Sequence, residues 1–357
     1  MFDYKSRQVQ LIKKLKRGKK IPFLITSLTD IRYLTGFSGT DAILLCSGEG
    51  VHFGTDGRYA LQAGSEVVAD GKVIYERKRD FIRKVLKKGK DVYFDRERLS
   101  YSMYNLIQKW GYRLQPTVSP LVRMRMIKEQ REIDIIEQAV IISSTAFLTS
   151  LRYLNSETTE NTLAATIEFE MKKRGAEGSS FPPIVAFGDK SAMPHATPDA
   201  SKLDGAQIML FDYGCRFQGY CSDETVTLLR KDKKVDRELR RVMTVVGRAK
   251  EEAFKQLAPG VKCRDIDLTV RSFIDSSGYG RHFVHSTGHG VGMEIHEPPH
   301  ISRYSKDVLK PGMVITIEPG IYIPGKGGVR LEDLVKITEN GFEKISYLPK
   351  NGRDLFA

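Results

Sequence analysis

The chain has 357 residues, of which 41% are hydrophobic and 28% charged, with a formal net charge of +13 at pH 7. This ordinary globular composition excludes a disordered or fibrous protein, and the length favours two domains over one. No run approaches the roughly 20 apolar residues that span a bilayer, and the first residues lack the apolar centre of a signal peptide, so we expect a cytoplasmic protein with no membrane partner.

Two basic clusters, within residues 13–20 and 77–90, raise the question of a nucleic-acid partner. Apolar residues recur beside them at helical intervals: Val9, Ile12 and Leu15, then Phe81 and Val85. This pattern is typical of the solvated face of an amphipathic helix. Neither cluster has the interleaved aromatic platform or the zinc knuckle of an RNA-binding module. We therefore expect no nucleic-acid partner.

Short β-rich runs alternate with helical segments in the first third of the chain. The runs are IPFLITS, AILLCS, GVHFGTD, KVIYE and DVYFD. This alternation predicts a small α/β domain that ends near the PTVSPL segment around residue 118. We divide the chain into domains 1–123 and 124–357.

After this domain, two pairs of amphipathic helices are each followed by a β-rich stretch. The first long helix is indicated by Ile133, Ile136, Val140 and Phe147, and the second by Leu163, Ile167 and Met171, with a stop at Gly175. A third helix is expected from about Asp236, and a fourth around Ile266, Val270 and Phe273, ending at Gly278. The order helix, helix, sheet thus occurs twice, which predicts two related half-folds about a shared centre.

The four cysteines, Cys46, Cys215, Cys221 and Cys263, show neither CxxC nor Cys/His zinc spacing. Four in so long a chain do not form a disulfide framework. We expect buried free thiols.

The segment FDYGCRFQGYCSDETVT, residues 211–227, predicts a hairpin that carries two aspartates. If RFQG is its loop, Asp212 and Asp223 lie directly opposite each other, with β-carbons roughly 5 Å apart. Two such carboxylates need a shared proton, a salt bridge or a bound metal. A register shift of one residue would instead place one aspartate on the other face.

A second hairpin, residues 314–338 with a turn at PGKGG, carries Glu318 and Glu332 in an apolar context. Between the hairpins, VHSTGHGVGMEIHEPPH contains four of the seven histidines: His285, His289, His296 and His300. Its glycines disfavour a helix and favour a strand and loop with close backbone approach. Four carboxylates and an imidazole suffice for two divalent ions, and the predominance of oxygen ligands favours manganese over a thiolate zinc site.

In these motifs the chain resembles the prolidase and Xaa-Pro aminopeptidase branch of the metallopeptidases with the pita-bread fold. The motifs FDYG, GYCSDETVT, HSTGHGVGMEIHEPP, TIEPGIY and GVRLED stand in that family's order, and IRYLTGFSGTDAILL with GTDGRYALQA resembles its creatinase-like N-terminal domain. The resemblance implies an α/β (α+β) protein: a pita-bread catalytic domain of two pseudo-symmetric halves after a smaller creatinase-like domain. It also implies a homodimer.

The resemblance further implies the roles of individual residues. The implied metal ligands are Asp212, Asp223, His289, Glu318 and Glu332, with Asp223 and Glu332 as bridging ligands. Glu318 is the implied general base for a metal-bridging water, and the implied substrate-side residues are His195, His285, His296 and Arg330. The implied cofactors are two divalent ions, with Mn²⁺ ahead of Co²⁺ or Zn²⁺.

The resemblance leaves the substrate open between two classes of Xaa-Pro peptide. Our first expectation is an aminopeptidase that removes the residue before a penultimate proline, and the alternative is a prolidase that cleaves Xaa-Pro dipeptides. A catalytically inactive pita-bread binding module is a third reading. Ser286, Glu224 and Val226 depart from the family's usual residues but spare all five implied ligands.

Overall fold

The structure, a computed structural model, describes residues 2–348. It divides into two compact units, Met1–Arg125 and Met126–Ala357, which we call the N-terminal and the C-terminal unit. Our division into domains 1–123 and 124–357 stays a prediction.

The N-terminal unit contains one six-stranded sheet with helices between its strands. Its elements are α1 Tyr4–Arg17, β1 Phe23–Ile25, α2 Leu28–Thr35, β2 Ile43–Cys46, β3 Val51–Asp56, α3 Ala60–Glu66, β4 Gly71–Tyr75, α4 Lys78–Val85, β5 Asp91–Asp95, α5 Tyr101–Lys109, β6 Arg113–Thr117 and α6 Pro120–Arg125. The strand order is β4-β3-β2-β1-β5-β6. The strands pair in parallel except for β1–β2 and β2–β3.

The five predicted strand runs are confirmed as β1 to β5, whereas β6 was not predicted. Its sequence, RLQPT, contains Pro116, which cannot donate a ladder hydrogen bond and argues against a central strand. The structure resolves this conflict because β6 lies at the edge of the sheet. The other edge strand, β4, was predicted, so it is the proline rather than the edge position that concealed β6.

Both basic segments form amphipathic helices, but the predicted buried face of α1 is partly wrong. Leu11 and Leu15 are buried, whereas Val9 is 63% exposed. In α4, the buried residues are Phe81 and Ile82. The basic clusters of both helices face solvent, as the periodicity indicates, whereas Arg7 near the start of α1 is buried.

The C-terminal unit repeats a pair of helices followed by a hairpin. Its elements are α7 Gln130–Ser150, α8 Glu160–Lys173, β7 Gly178–Ser179, β8 Ile184–Phe187, β9 Ile208–Tyr213, β10 Cys215–Phe217, β11 Tyr220–Cys221, β12 Glu224–Leu229, α9 Arg237–Phe254, α10 Cys263–Ser276, β13 Gly288–Gly290, β14 Glu297–Ile301, β15 Val314–Ile317, β16 Gly320–Ile323, β17 Gly327–Arg330, β18 Asp333–Ile337 and β19 Phe342–Lys344. The four predicted helices are confirmed as α7 to α10. The predicted stops Gly175 and Gly278 both have positive φ, which is typical after a helix end.

Each helix pair packs on its own sheet, which gives the C-terminal unit two cores. In the first half, Phe147 of α7 and Ile167 of α8 pack with Phe211 of β9. In the second half, Val246 of α9 and Ile266 of α10 belong to the core that includes β15 and β18. The sheets are β12-β9-β8 and β14-β13-β15-β18-β19, with smaller sheets β11-β10-β7 and β16-β17. The predicted pseudo-duplication is confirmed.

Helix α7 qualifies as a membrane span by length and composition alone, contrary to the sequence expectation. The qualifying helix is Gln130–Tyr153, and 61% of its apolar window is buried inside the structure. Phe147 and Ala146 lie in the core of the first half, so much of this apolar surface is covered by protein. The four cysteines are buried and free, as expected.

Candidate metallopeptidase site

Asp212 and Asp223 lie on one face of the first hairpin, but they are not directly opposite each other. Thr225 is the residue that pairs with Asp212. The turn consists of Gln218 and Gly219, with φ of 47° and 84°, so the predicted four-residue loop is wrong. Such two-residue turns fit the strand twist. Since side chains alternate along a strand, Asp223 shares the face of Thr225 and lies diagonal to Asp212.

Directly opposed carboxylates belong instead to the second hairpin. The ladders β15–β18 and β16–β17 keep one register. In this register Ile317 pairs with Asp333, so Glu318 and Glu332 face each other across the next position. Both glutamates lie between the two ladders, where Pro319 interrupts the outgoing strand.

The structure brings all five predicted metal ligands into one cluster. Ligand atoms of Asp223, His289 and Glu332 lie within 4.8 Å of one another. His289 Nε2 lies 3.5 Å from Asp223 Oδ2 and 3.5 Å from Glu318 Oε1. Asp212 is close enough that its charge raises the pKa of Asp223. The cluster therefore joins residues from both halves of the C-terminal unit.

Strand β13 presents His289 to the carboxylates. A Cβ at Gly288 would lie 2.0 Å from the carbonyl oxygen of Thr316, so only glycine allows this close approach of β13 and β15. His289 Nδ1 lies 3.0 Å from the carbonyl oxygen of Gly290. Because a carbonyl only accepts, Nδ1 carries the proton and Nε2 directs its lone pair toward Asp223 and Glu318.

The electrostatics of the cluster favour a cation. Burial raises the pKa of Asp223 well above its usual range, and the charges of Glu332, Asp212 and Glu318 add to this effect. Burial likewise raises the pKa of Glu318 to about 8. Burial lowers the pKa of His289 to about 3, so its ring is neutral at pH 7. Several buried carboxylates are costly unless a positive charge offsets them.

The donor set fits divalent ions. Asp212 Oδ1 is buried and makes no hydrogen bond to any residue within 2–348. His289 Nε2 faces the carboxylates of Asp223 and Glu318. When ionised, these groups have no proton to donate to Nε2. Carboxylate oxygens with one imidazole suit Mn²⁺ and similar borderline cations. A cation would satisfy both the buried oxygen and the imidazole lone pair.

Arg330 connects the two hairpins and the loop before His195. Its guanidinium lies 2.6 Å from Asp212 Oδ2 and donates to Thr225 Oγ1 at 3.0 Å. It also donates to the carbonyl oxygen of Pro194 at 3.2 Å and to the hydroxyl of Tyr322 at 2.7 Å. Arg330 is 3% exposed. It therefore fixes the orientation of Asp212 from within the protein.

The three predicted substrate-side histidines have different surroundings. His195 and His296 are exposed, and neither ring makes a hydrogen bond to a residue within the described range. The ring of His296 packs edge-on against His289, with centroids 4.4 Å apart. In contrast, His285 Nδ1 lies 2.8 Å from the carbonyl oxygen of Ser286, and its Nε2 lies 2.9 Å from the hydroxyl of Tyr322. His285 is thus held by the protein on both ring nitrogens.

Two hydroxyl groups that orient site residues were not predicted from the sequence. Thr225 Oγ1 donates to Glu332 Oε2 at 2.8 Å. Tyr322 accepts from Arg330 and donates to Nε2 of His285. The strand period of two could have found Thr225, which is two residues beyond Asp223 and on the same face. No comparable signal marked Tyr322.

His300 was counted in the sequence but given no role. It pairs with His289 in the β13–β14 ladder, and its side chain is exposed. Its charge contributes to the lowered pKa of His296, after burial and His195. Three exposed imidazoles, those of His195, His296 and His300, therefore flank the carboxylate cluster.

Comparison with known protein families assigns the fold and the site to a class of enzyme. The chain belongs to Metallopeptidase family M24, whose model matches residues 134–339. A second model, the Creatinase/Prolidase N-terminal domain, matches residues 7–127. The chain is therefore a metallo-exopeptidase with a creatinase-like N-terminal domain and a pita-bread catalytic domain, and the family implies divalent metal ions.

Individual relatives include both dipeptidases and an aminopeptidase. The chain is 38% identical to "Xaa-Pro dipeptidase" of Pyrococcus furiosus, over 77% of this chain and 78% of the relative. It is similar in structure to "Xaa-Pro dipeptidase from Bacillus anthracis", with a TM-score of 0.91, 33% identity and coverage of 97% and 98%. An X-Pro aminopeptidase from Thermotoga maritima has a TM-score of 0.85, 32% identity and coverage of 94% and 98%.

Proposed function

We propose that this protein is a prolidase, which hydrolyses the bond between the two residues of an Xaa-Pro dipeptide. The observation that carries the proposal is the buried cluster of His289 with Asp223, Glu318 and Glu332 beside exposed imidazoles. The similarity to Xaa-Pro dipeptidases supports the choice of substrate. This reverses our sequence-based order, which placed the aminopeptidase first.

The five clustered residues would hold two divalent ions, with Asp223 and Glu332 shared between them. Glu332 suits a shared position because it lies opposite Glu318 in the hairpin register and near Asp223. When bound, the ions supply a water nucleophile that ionises near neutral pH and offset negative charge on the substrate carbonyl. We propose Mn²⁺ for these ions, with Co²⁺ and Zn²⁺ as alternatives.

The protein side chains would orient the peptide and move the proton. Glu318 Oε1 would take the proton from the attacking water, since it lies inside the cluster, 3.5 Å from His289 Nε2. His296 and His195 have unoccupied ring nitrogens, so they would donate to the substrate carbonyl. His285 would act through the Tyr322 hydroxyl, which connects it to Arg330.

A dipeptidase also needs a group that binds the free carboxylate of the substrate. The exposed imidazoles of His195, His296 and His300 lie on the accessible side of the cluster. His300 is the one among them with no proposed part at the scissile bond. We therefore assign the substrate carboxylate to His300.

The test compares Ala-Pro, its C-terminal amide Ala-Pro-NH₂ and the tripeptide Ala-Pro-Ala with metal-reconstituted enzyme. A prolidase should prefer Ala-Pro over both others in kcat/KM by at least about tenfold, which equals 1.4 kcal/mol. His300→Ala should raise KM for Ala-Pro and leave the rate with Ala-Pro-NH₂ unchanged. An enzyme that prefers the tripeptide is an aminopeptidase, and an enzyme that cleaves none of them is a binding module.

Three further assignments belong to the same proposal. Cytoplasmic location, a homodimer and the absence of a membrane partner rest on sequence patterns and on the family resemblance alone. Size-exclusion chromatography with light scattering tests the dimer directly. A monomer with full activity would remove the dimer from the proposal without affecting the chemistry.

A further inference from the structure

The excess positive charge of the chain lies entirely in the N-terminal unit. Residues 1–125 contain 25 basic and 12 acidic residues, a net charge of +13. Residues 126–357 contain 32 of each and are neutral overall. The unit that carries the candidate peptidase site therefore has no excess charge. The positive charge of the chain must be explained by features of the N-terminal unit.

Much of this charge converges on one groove of about 710 Å³. The groove is formed by the loop after α1, the β2–β3 turn, the end of α4 and the start of β5 and β6. Lys19 from the first basic cluster thus lies in one concave surface with four residues of the second, distant in sequence. Its basic lining residues are Lys19, Arg83, Lys84, Lys87, Lys90 and Arg113.

Most of these cations lack an acidic partner. The groove contains only two carboxylates, and Arg113 pairs with one of them, Asp91, at 2.7 Å. No ion pair joins any of the other five to a residue of the described chain. Cations near the end of α4 are stabilised by the helix dipole, which accounts for Arg83 and Lys84 but not for Lys87 or Lys90. Like charges in one groove repel unless a ligand of opposite charge binds.

Lys19 occupies a backbone position that favours glycine. Its φ is 54°, and the turn after α1 joins Lys19 N to the carbonyl oxygen of Lys16 and Lys20 N to that of Leu15. In this helix-ending motif the left-handed residue is usually glycine. Gly18 lies one position too early to fill it. A lysine is thus held at a strained position on the edge of the groove, which is typical of functional sites.

We propose that this groove binds a single-stranded nucleic acid through its phosphates. Exposed lysines and arginines without fixed partners suit phosphate contacts that carry no sequence preference. A duplex is usually read by a protruding helix or ribbon, and a flat bilayer by an amphipathic surface with an apolar face. A concave basic groove instead accepts a single flexible strand. This proposal reverses the expectation from the sequence, in which the two basic clusters were interpreted as solvated helix faces and no nucleic-acid partner was expected.

The test uses the full chain, a fluorescein-labelled 20-nucleotide polyuridine strand, and anisotropy from 50 to 200 mM KCl. The groove variant combines Arg83→Gln, Lys84→Gln, Lys87→Gln and Lys90→Gln. The matched control combines Lys234→Gln, Arg237→Gln, Arg240→Gln and Arg248→Gln, four exposed cations of the C-terminal unit. Both variants remove four positive charges.

The wild-type chain should bind the strand, and the groove variant should bind at least tenfold more weakly. Its slope of log affinity against log salt should fall in magnitude by about 3, at roughly 0.7 per lost phosphate contact. The control should stay within twofold of wild type, and Ala-Pro hydrolysis should be unchanged in both. Lys19→Gly should raise the thermal midpoint while weakening the binding.

Three outcomes overturn the proposal. The first is a wild-type chain that does not bind at 50 mM KCl, and the second is an equal loss in the control variant. The third is binding to phosphatidylserine vesicles, lost in the groove variant, without binding to the strand. Since the peptidase assay is run on the same samples, a failure here is distinguishable from a failure of the proposed catalytic function.

Discussion

In the metal-free protein, the C-terminal unit should become less stable as the pH rises from 6.5 to 8. Burial raises the pKa of Glu318 from an ordinary 4.5 to about 8. Between these values the folded chain holds a proton that the unfolded chain has released. The free energy of unfolding then falls with rising pH, by about 1.4 kcal/mol per pH unit for each such proton. Asp223, whose pKa is also raised, acts in the same direction.

Two histidines oppose this trend at lower pH. Burial lowers the pKa of His289 from 6.5 to about 3 and that of His285 from 6.5 to about 4. Below pH 6.5 the unfolded chain therefore holds protons that the folded chain lacks, and stability rises with pH there. From pH 4.5 to 6.5 the histidine contributions therefore oppose those of Glu318 and Asp223. Above pH 6.5 the histidine contributions fade within about one pH unit and the carboxyl contributions dominate. Glu318 alone, half ionised at pH 8, accounts for roughly 1.6 kcal/mol up to that pH.

The assay is urea unfolding of chelator-dialysed protein at pH 6.5, 7.0, 7.5 and 8.0, followed by far-ultraviolet circular dichroism. Fluorescence is unsuitable because the single tryptophan, Trp110, lies in the N-terminal unit. Wild type should lose about 1 kcal/mol or more over this range, and Glu318→Gln should lose correspondingly less. Saturating Mn²⁺ should suppress the fall. Identical pH profiles for wild type and Glu318→Gln would refute the reasoning.

Three substitutions test individual contacts of the site. Asp223→Asn should lose bound metal and activity together, as measured by elemental analysis and initial rates; a fully metallated, active variant contradicts the ligand assignment. Thr225→Val removes the hydrogen bond to Glu332 and should weaken metal affinity by about 10 to 100-fold, measured by chelator competition; an unchanged affinity contradicts the role of this hydroxyl. His296→Ala should lower kcat by about 10² to 10⁴-fold at unchanged metal content, and a loss of metal would make it a ligand.

The helices and most strands could be predicted because their side chains repeat at periods of 3.6 and 2. The details of strand pairing could not. The position of Asp223 relative to Asp212 depends on whether the hairpin turns over two residues or four, and the sequence RFQG allows both. Gln218 takes a positive φ, which is uncommon for a residue other than glycine. The sequence therefore gave no sign that the turn begins there.

The site residues were predicted as a set, whereas the contacts that orient them were not. The acids and His289 stand in recognisable motifs. In contrast, Tyr322 acts through partners at positions 285 and 330, and no local pattern relates these positions. The basic groove was not predicted for the same reason. Lys19 and Lys87 come together only through the order of the strands in the sheet. Long-range convergence of this kind requires the fold.

The two halves of the C-terminal unit contribute to the cluster in the same way. Asp223 directly precedes β12, and Glu332 directly precedes β18, so each is the last residue before a returning strand. At these positions each hairpin passes from one sheet to another. Backbone groups there can therefore hydrogen-bond to the other half of the C-terminal unit. Glu332 N donates to the carbonyl oxygen of Thr225 at 3.1 Å, and Thr225 Oγ1 donates back to the Glu332 carboxylate. Metal affinity and the pairing of the halves therefore depend on the same contacts, and chelation should loosen this junction before either hydrophobic core.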